Sequence, residues 1–257
     1  MSMNLGSNLE TDGSAALAPL RAEPGLVDLV HERLVEAISI GRLPPGERLT
    51  QGRVADLLDV SRQPVSHALQ LLKHQGLAVQ HRRKGLAVAP LDALQIWHLY
   101  QVRGMLDGLA ARLASERIAA GLAPAAEITA IEEALDHGRS LDPSSGTIEL
   151  VRADVAFHRA LHDLSGNPEI ARTVTEQWPQ FMRSMAVVLD EPDRKRRIWD
   201  EHVAILEAVF AGDAARAESL ACSHAVRAGQ ETKARIDRLD LGSTDQRRTM
   251  KANGRNA

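Results

Sequence analysis

From Leu26 onward, apolar residues recur at three- and four-residue spacing, and that period confines the fold to packed helices with very little strand. Leu26, Val30, Leu34 and Ile38 mark one face of a first helix, which stops at Gly41 and the Pro44-Pro45-Gly46 turn. Thr50 suits the N-cap of a short second helix with Val54, Leu57 and Leu58 inward, before Asp59 and Val60 turn the chain. Ser61 is placed to cap a third helix carrying Val65, Ala68, Leu69 and Leu72, with Gly76 as its stop signal. Residues 77–79 and 86–88 are short apolar stretches on either side of His81-Arg82-Arg83-Lys84-Gly85, the pattern of a β-hairpin with a basic tip. Beyond Pro90 the helical period returns, broken near 121–124, 142–146, 166–168, 191–193 and 212–213, which leaves about six helices.

Three helices and a hairpin, with a short second helix and a Ser-led third, form the pattern of a winged helix-turn-helix. The expected fold class is therefore mainly α: this module over residues 25–90, then an all-α antiparallel helical bundle over 92–236. A chain of 257 residues is long enough for each part to bury its own core. Residues 1–24 and 237–257 are polar or small without periodicity and read as a disordered tail and a flexible C-terminal tail. No apolar run approaches the roughly 18 residues that span a bilayer, and the first residues lack a basic stretch followed by an apolar one. A lone Cys222 cannot form an intramolecular disulfide. The expectation is a cytoplasmic protein with no membrane partner.

Charge divides with the fold. Residues 21–90 carry ten Lys or Arg against seven Asp or Glu, whereas residues 91–257 carry 21 against 25. A basic first domain inside a chain of net charge -3 points to nucleic acid at that end alone. Ser61, Arg62, Gln63, Ser66 and His67 at the start of the third helix are the polar set that reads base edges, Arg favouring guanine and Gln adenine. Arg82, Arg83 and Lys84 suit phosphate contact, and Arg53 and Gly85 complete the candidate DNA-binding residues. As an isolated helix terminus, Arg62 and Gln63 would equally be ordinary solvated residues.

The segment GRLPPGERLTQGRVADLLDVSRQPVSHALQLLKHQGLAVQHRRKGLAV resembles the DNA-binding signature of GntR-type bacterial regulators, over about residues 26–90. The PPGERL turn, the recognition helix beginning Val60-Ser61-Arg62, and the basic wing ending in Gly85 occur in the family's order. Two positions depart from it. Ser66 and His67 stand where the family usually has a long polar residue, and Asp59 replaces the usual Gly, although Asp tolerates the left-handed conformation.

In the second domain, Asp154 and His158 lie four residues apart on one helix face, His202 falls between Ile198 and Leu206, and His224 follows Leu220 by one turn. All align with apolar stripes. A lone histidine there is usually a packed core residue, but three imidazoles and a carboxylate gathered round a divalent cation satisfy one another where separate burial would not. Such donors suit zinc, nickel, manganese or iron. The segments DVAFHRALHDLSGNP, EHVAILEAVFAGD and CSHAVRAG resemble the FCD effector-binding domain of the FadR-type branch of the GntR family, over about residues 92–232. That resemblance implies a metal held by Asp154, His158, His202 and His224, and a count of six helices implies the VanR-like subdivision. It also implies that Arg103 clamps an effector carboxylate; otherwise Arg103 is a surface residue paired with Asp107, which stands where relatives more often have Glu. His162 lies outside the motif and reads as structural.

The expected function is a homodimeric DNA-binding regulator, a repressor, reading a pseudo-palindromic double-stranded operator and responding to a small organic acid. A metal-dependent hydrolase or lyase is the competing class, since a three-His, one-Asp site can activate water. No nucleophile motif accompanies the ligands, so the chain is not expected to be an enzyme. A purely structural dimerisation bundle is the third reading.

Overall fold

The computed structural model describes residues 25–81, 85–142, 145–188 and 192–253, with the side chains of 192–193 and 240–253 outside the description. The N-terminal module begins with α1 (Leu26–Ser39), which buries Val30, Leu34 and Ile38. A two-residue strand β1 (Arg48–Leu49) follows, then α2 (Gln51–Leu58), whose first turn is capped by Thr50 Oγ1 accepting from the Arg53 amide at 3.4 Å. Asp59 ends α2 in the left-handed region at φ 52°, the conformation an Asp tolerates where a glycine is customary. The recognition helix α3 (Arg62–His74) buries Val65, Ala68, Leu69 and Leu72. Ser61 occupies its N-cap position with extended backbone, yet its side chain makes no capping hydrogen bond, contrary to expectation.

The hairpin forms between β2 (Ala78–Gln80) and β3 (Leu86–Val88), paired antiparallel with Ala78 opposite Val88. β1 pairs with the other edge of β3, so the wing is a three-stranded sheet of order β1-β3-β2. Two residues are too few to give a periodic signal, which is why β1 escapes a sequence reading.

The second domain contains α4 (Ala93–Ala119), α5 (Ala125–Ser140), α6 (Thr147–Leu164), α7 (Pro168–Thr175), α8 (Trp178–Val188), α9 (Pro192–Phe210) and α10 (Ala214–Asn253). The helical bundle is as expected, but one of the six anticipated segments is divided, giving seven helices among the described residues. The division falls at Glu176 and Gln177. Pro179 lacks an amide proton and its ring would strike the carbonyl four residues earlier, so it is tolerated only in a first turn and forces a new helix to begin. Helix count therefore does not carry the VanR-like subdivision. The segment expected as a C-terminal tail from residue 237 is helical backbone as far as Asn253, in keeping with a stretch whose one helix breaker is Gly242. The expected N-terminal tail, residues 1–24, lies outside the described residues.

Long antiparallel contact between α4 and α10 is permitted by a glycine at their crossing. A Cβ on Gly229 would stand 2.4 Å from the Tyr100 Cβ, closer than any real pair of carbons. The two domains meet through α1 and α8. Arg152 Nη2 donates to Glu36 Oε1 at 2.9 Å across the junction, Gln180 Nε2 donates to the Gly76 carbonyl at 3.4 Å, and buried Arg183 donates to the Ala89 carbonyl. Burial of Arg183 pushes its pKa down to about 10.

Candidate metal centre and DNA-binding face

On α6 the apolar residues Val151, Val155 and Leu161 turn the same side of the helix inward, and that side also carries Asp154 and His158. α9 brings His202 and α10 brings His224 to the same point in the core, all four residues buried and His202 with no exposed surface at all. One ligand atom from each lies within 4.8 Å of every other. His202 Nε2 and His224 Nε2 are 3.2 Å apart, His202 Nε2 is 3.6 Å from Asp154 Oδ1, and His158 Nε2 is 3.7 Å from Asp154 Oδ2. Two nitrogens each about 2.0–2.1 Å from a tetrahedral zinc stand roughly 3.4 Å apart, so the histidine pair already has the spacing of ligands on one ion.

Orphaned polar atoms make the same point. Both ring nitrogens of His158 are buried without a hydrogen-bond partner, as is His202 Nδ1. Native cores seldom leave such groups unpaired, and a cation at the centre of the four residues would take up His158 Nε2. Burial, and then the Arg103 charge, push His158 down to about 4; burial and the other two imidazoles hold His202 well below its ordinary range. Both rings are therefore neutral at pH 7, with lone pairs available for coordination. Phe157 stacks on His202 at 4.1 Å between centroids and Trp199 meets it edge-on at 4.8 Å, which locks the ring plane.

An outer layer surrounds these four residues, and most of it is not legible as a motif. His224 Nδ1 is 2.7 Å from Glu201 Oε2, so Glu201 accepts the ring N–H and leaves Nε2 bare toward His202. Arg227 Nη1 donates to the other oxygen of Glu201 at 2.5 Å, with Arg197 Nε 3.7 Å away. Burial alone would raise the Glu201 carboxyl, but the His224 bond and the two arginines hold it below its usual range.

On the opposite side, Arg103 Nε donates to Asp107 Oδ2 at 3.1 Å and His162 Nε2 lies 2.7 Å from Asp107 Oδ1. His158 Nδ1 is 3.3 Å from Asp107 Oδ2 but off the hydrogen-bond direction, which leaves a charge–dipole contact. Burial favours the neutral form of Asp107, but Arg103, His158 and His162 keep it well below the carboxylate range. Arg103 is thus paired with Asp107, yet it is 2% exposed and no surface residue. Its guanidinium stands 5.0–5.5 Å from the ring centroids of Phe181, Trp178 and Tyr100. His162, structural by sequence, belongs to this outer layer through Asp107.

In the first domain Ser61, Arg62, Gln63 and His67 are exposed along α3, and Gln70 and His74 continue the same stripe. Ser66 is half-buried and its hydroxyl accepts from Gln51 Nε2 at 3.0 Å, which fastens α2 to α3. Arg53 is exposed but paired with Glu47. Gly85 is exposed, at φ 108°, and its carbonyl accepts from Gln80 Nε2 at 3.0 Å, closing the base of the wing. Arg82, Arg83 and Lys84 lie outside the described residues.

The profile of the bacterial regulatory proteins of the gntR family matches residues 26–88, and that of the FCD domain matches residues 98–227. The chain belongs to the GntR family. Its FCD domain is the bundle that contains the four-residue cluster. An uncharacterized HTH-type transcriptional regulator of Bacillus subtilis, YdhC, is 28% identical over 182 residues, covering 70% of this chain and 78% of the relative. The HTH-type transcriptional repressor NanR of Klebsiella aerogenes is 26% identical over 237 residues, covering 84% and 88%. A crystal structure of a GntR transcriptional regulator from Rhodococcus sp. RHA1 shares the fold with a TM-score of 0.67 at 24% identity, covering 82% of this chain and 96% of that one. This GntR chain is a transcription regulator, not an enzyme. None of its described helices is long and apolar enough to cross a membrane.

Proposed function

We propose that this GntR regulator is a cytoplasmic, homodimeric repressor that binds a pseudo-palindromic operator and changes its affinity when a small organic acid binds at a metal in the FCD domain. Arg62, Gln63 and His67 read base edges in the major groove, while Ser61, Arg53, Gly85 and the wing residues Arg82, Arg83 and Lys84 engage the backbone. Ser66, tied to Gln51, positions α3 as well as facing the groove. Asp154, His158, His202 and His224 hold a divalent ion such as zinc, nickel, manganese or iron. When bound, the ion supplies a Lewis-acidic anchor for a carboxylate. Arg103, held in place by Asp107, offers the second cationic contact beside it.

One observation carries the reading: four buried donors from α6, α9 and α10 converge within 4.8 Å of one another, and neither ring nitrogen of His158 has a hydrogen-bond partner. The repressor sense follows from the similarity to the transcriptional repressor NanR.

Fluorescence anisotropy with operator DNA and metal analysis test the two halves separately. Arg62→Ala is expected to abolish specific binding and leave a weak, salt-sensitive component. The double variant His202→Ala with His224→Ala is expected to lose its metal and its response to acids. Unchanged operator affinity in the first, or a full metal complement in the second, refutes the corresponding half.

A further inference from the structure

Between the two domains, α1 on one side and α6 with α7 and α8 on the other border an open cavity of about 670 Å³, within the range that accepts small ligands. None of the four metal-binding candidates lines it. Its wall is apolar where Val35, Val155, Met182 and Trp178 meet, and its polar residues are unevenly committed. Arg152 is neutralised by Glu36 at 2.9 Å. Arg159 is exposed, its guanidinium 5.7 Å from the centroid of the Trp178 ring, and among the described residues it has no carboxylate partner. One uncommitted cation beside an aromatic face, with the acidic Glu32 also on the lining, fits a ligand carrying a single negative charge on an apolar body; a polyanion would meet Glu32 and Glu36.

We infer that this interdomain cavity is a second ligand site, separate from the metal centre, which takes a small amphipathic monocarboxylate with its carboxylate on Arg159 and its apolar body against Trp178, Val155 and Val35. A ligand seated there touches the DNA-binding domain and the FCD domain at once, so its binding energy depends directly on how α1 sits on α6 and α8. Trp178 is common to both sites. It lines the cavity, while its ring lies 6.5 Å from His158, 6.2 Å from His162 and 5.2 Å from the Arg103 guanidinium.

Phenylacetate serves as the probe and its neutral amide as the control, each titrated into the full chain and followed by calorimetry and by the Trp178 indole resonance in ¹H–¹⁵N spectra. Phenylacetate is expected to saturate and shift that resonance, and the amide to bind at least about ten-fold more weakly, the loss of one charge-assisted contact. Arg159→Gln is expected to lower phenylacetate affinity by about the same factor, and Ala156→Trp, which fills the cavity from an exposed position, to abolish binding. Chelator-treated, metal-free protein is expected to bind phenylacetate as the zinc-loaded protein does, which separates this site from the metal-centred reading. Absence of saturable binding, equal affinity for the amide, or binding undiminished by both Arg159→Gln and Ala156→Trp overturns the inference.

Discussion

Replacing Glu201 by Gln leaves a side chain of the same length that still accepts the His224 Nδ1 proton but has no charge. In the native chain the 2.7 Å contact from His224 to an ionised carboxylate, itself braced by Arg227, holds the ring in the tautomer that exposes Nε2. A hydrogen bond to a charged group contributes about 1.5–3 kcal/mol and a neutral one about 1 kcal/mol, so the substitution removes roughly 1–2 kcal/mol of support for that ligand. In affinity this is a loss of about ten-fold, with Glu201→Ala, which abandons the tautomer as well, nearer 100-fold. Zinc titration against a competing chelator gives the affinity, and long-range ¹H–¹⁵N spectra of the metal-free protein give the tautomer of His224. The expected pattern is a retained Nδ1–H tautomer with weakened zinc binding in Glu201→Gln, and a mixed tautomer with weaker binding still in Glu201→Ala. Zinc affinity unchanged in both variants would refute the assignment of Glu201 as the positioning group.

Metal-free protein should lose stability as pH falls. His158 stays neutral to about pH 4 when folded but titrates near 6.5 when unfolded, so the unfolded chain binds more protons between those values. Stability then drops by roughly 1.4 kcal/mol per pH unit across that window, about 3 kcal/mol from this residue, and urea titrations at pH 7 and pH 4.5 measure it. Gly229→Ala should cost about 1–3 kcal/mol or more, read as a lowered thermal midpoint, because its methyl meets the Tyr100 Cβ at 2.4 Å; an unchanged midpoint would mean that α4 and α10 separate freely. Arg183→Ala strips the buried partner from the Ala89 carbonyl and from Gln180 Oε1, 3.2 Å away, and should cost about 1–3 kcal/mol in chemical denaturation.

What was legible in the sequence is what burial period encodes. Val30, Leu34 and Ile38, like Val65, Leu69 and Leu72, are buried where helical spacing put them, and Asp154, His158, His202 and His224 were found because they interrupt apolar stripes with donors. Partners across helices leave no such trace. Glu201 is one of several charged residues on α9, and its contact with His224 exists only because α9 and α10 are neighbours. Asp107 was visible as an i, i+4 partner of Arg103, but the two histidines it also faces arrive from α6, 51 and 55 positions away. Local signals also failed where two rules competed. Pro179 marks a helix start as readily as a break, and Ser61 sits in a capping position without making the bond.

The bonds from Arg183 to the Ala89 carbonyl and from Gln180 to that of Gly76 bear on how this chain can be dissected. A fragment ending near residue 90 would keep the recognition helix and wing but leave those two carbonyls to water. The complementary fragment would carry a buried guanidinium suddenly at its surface, beside an apolar flank of α8 that α1 had covered. Neither piece alone therefore reports the behaviour of its half of the protein, and soluble expression of the severed helical part is expected to depend on polar replacement of the flank that α1 leaves bare.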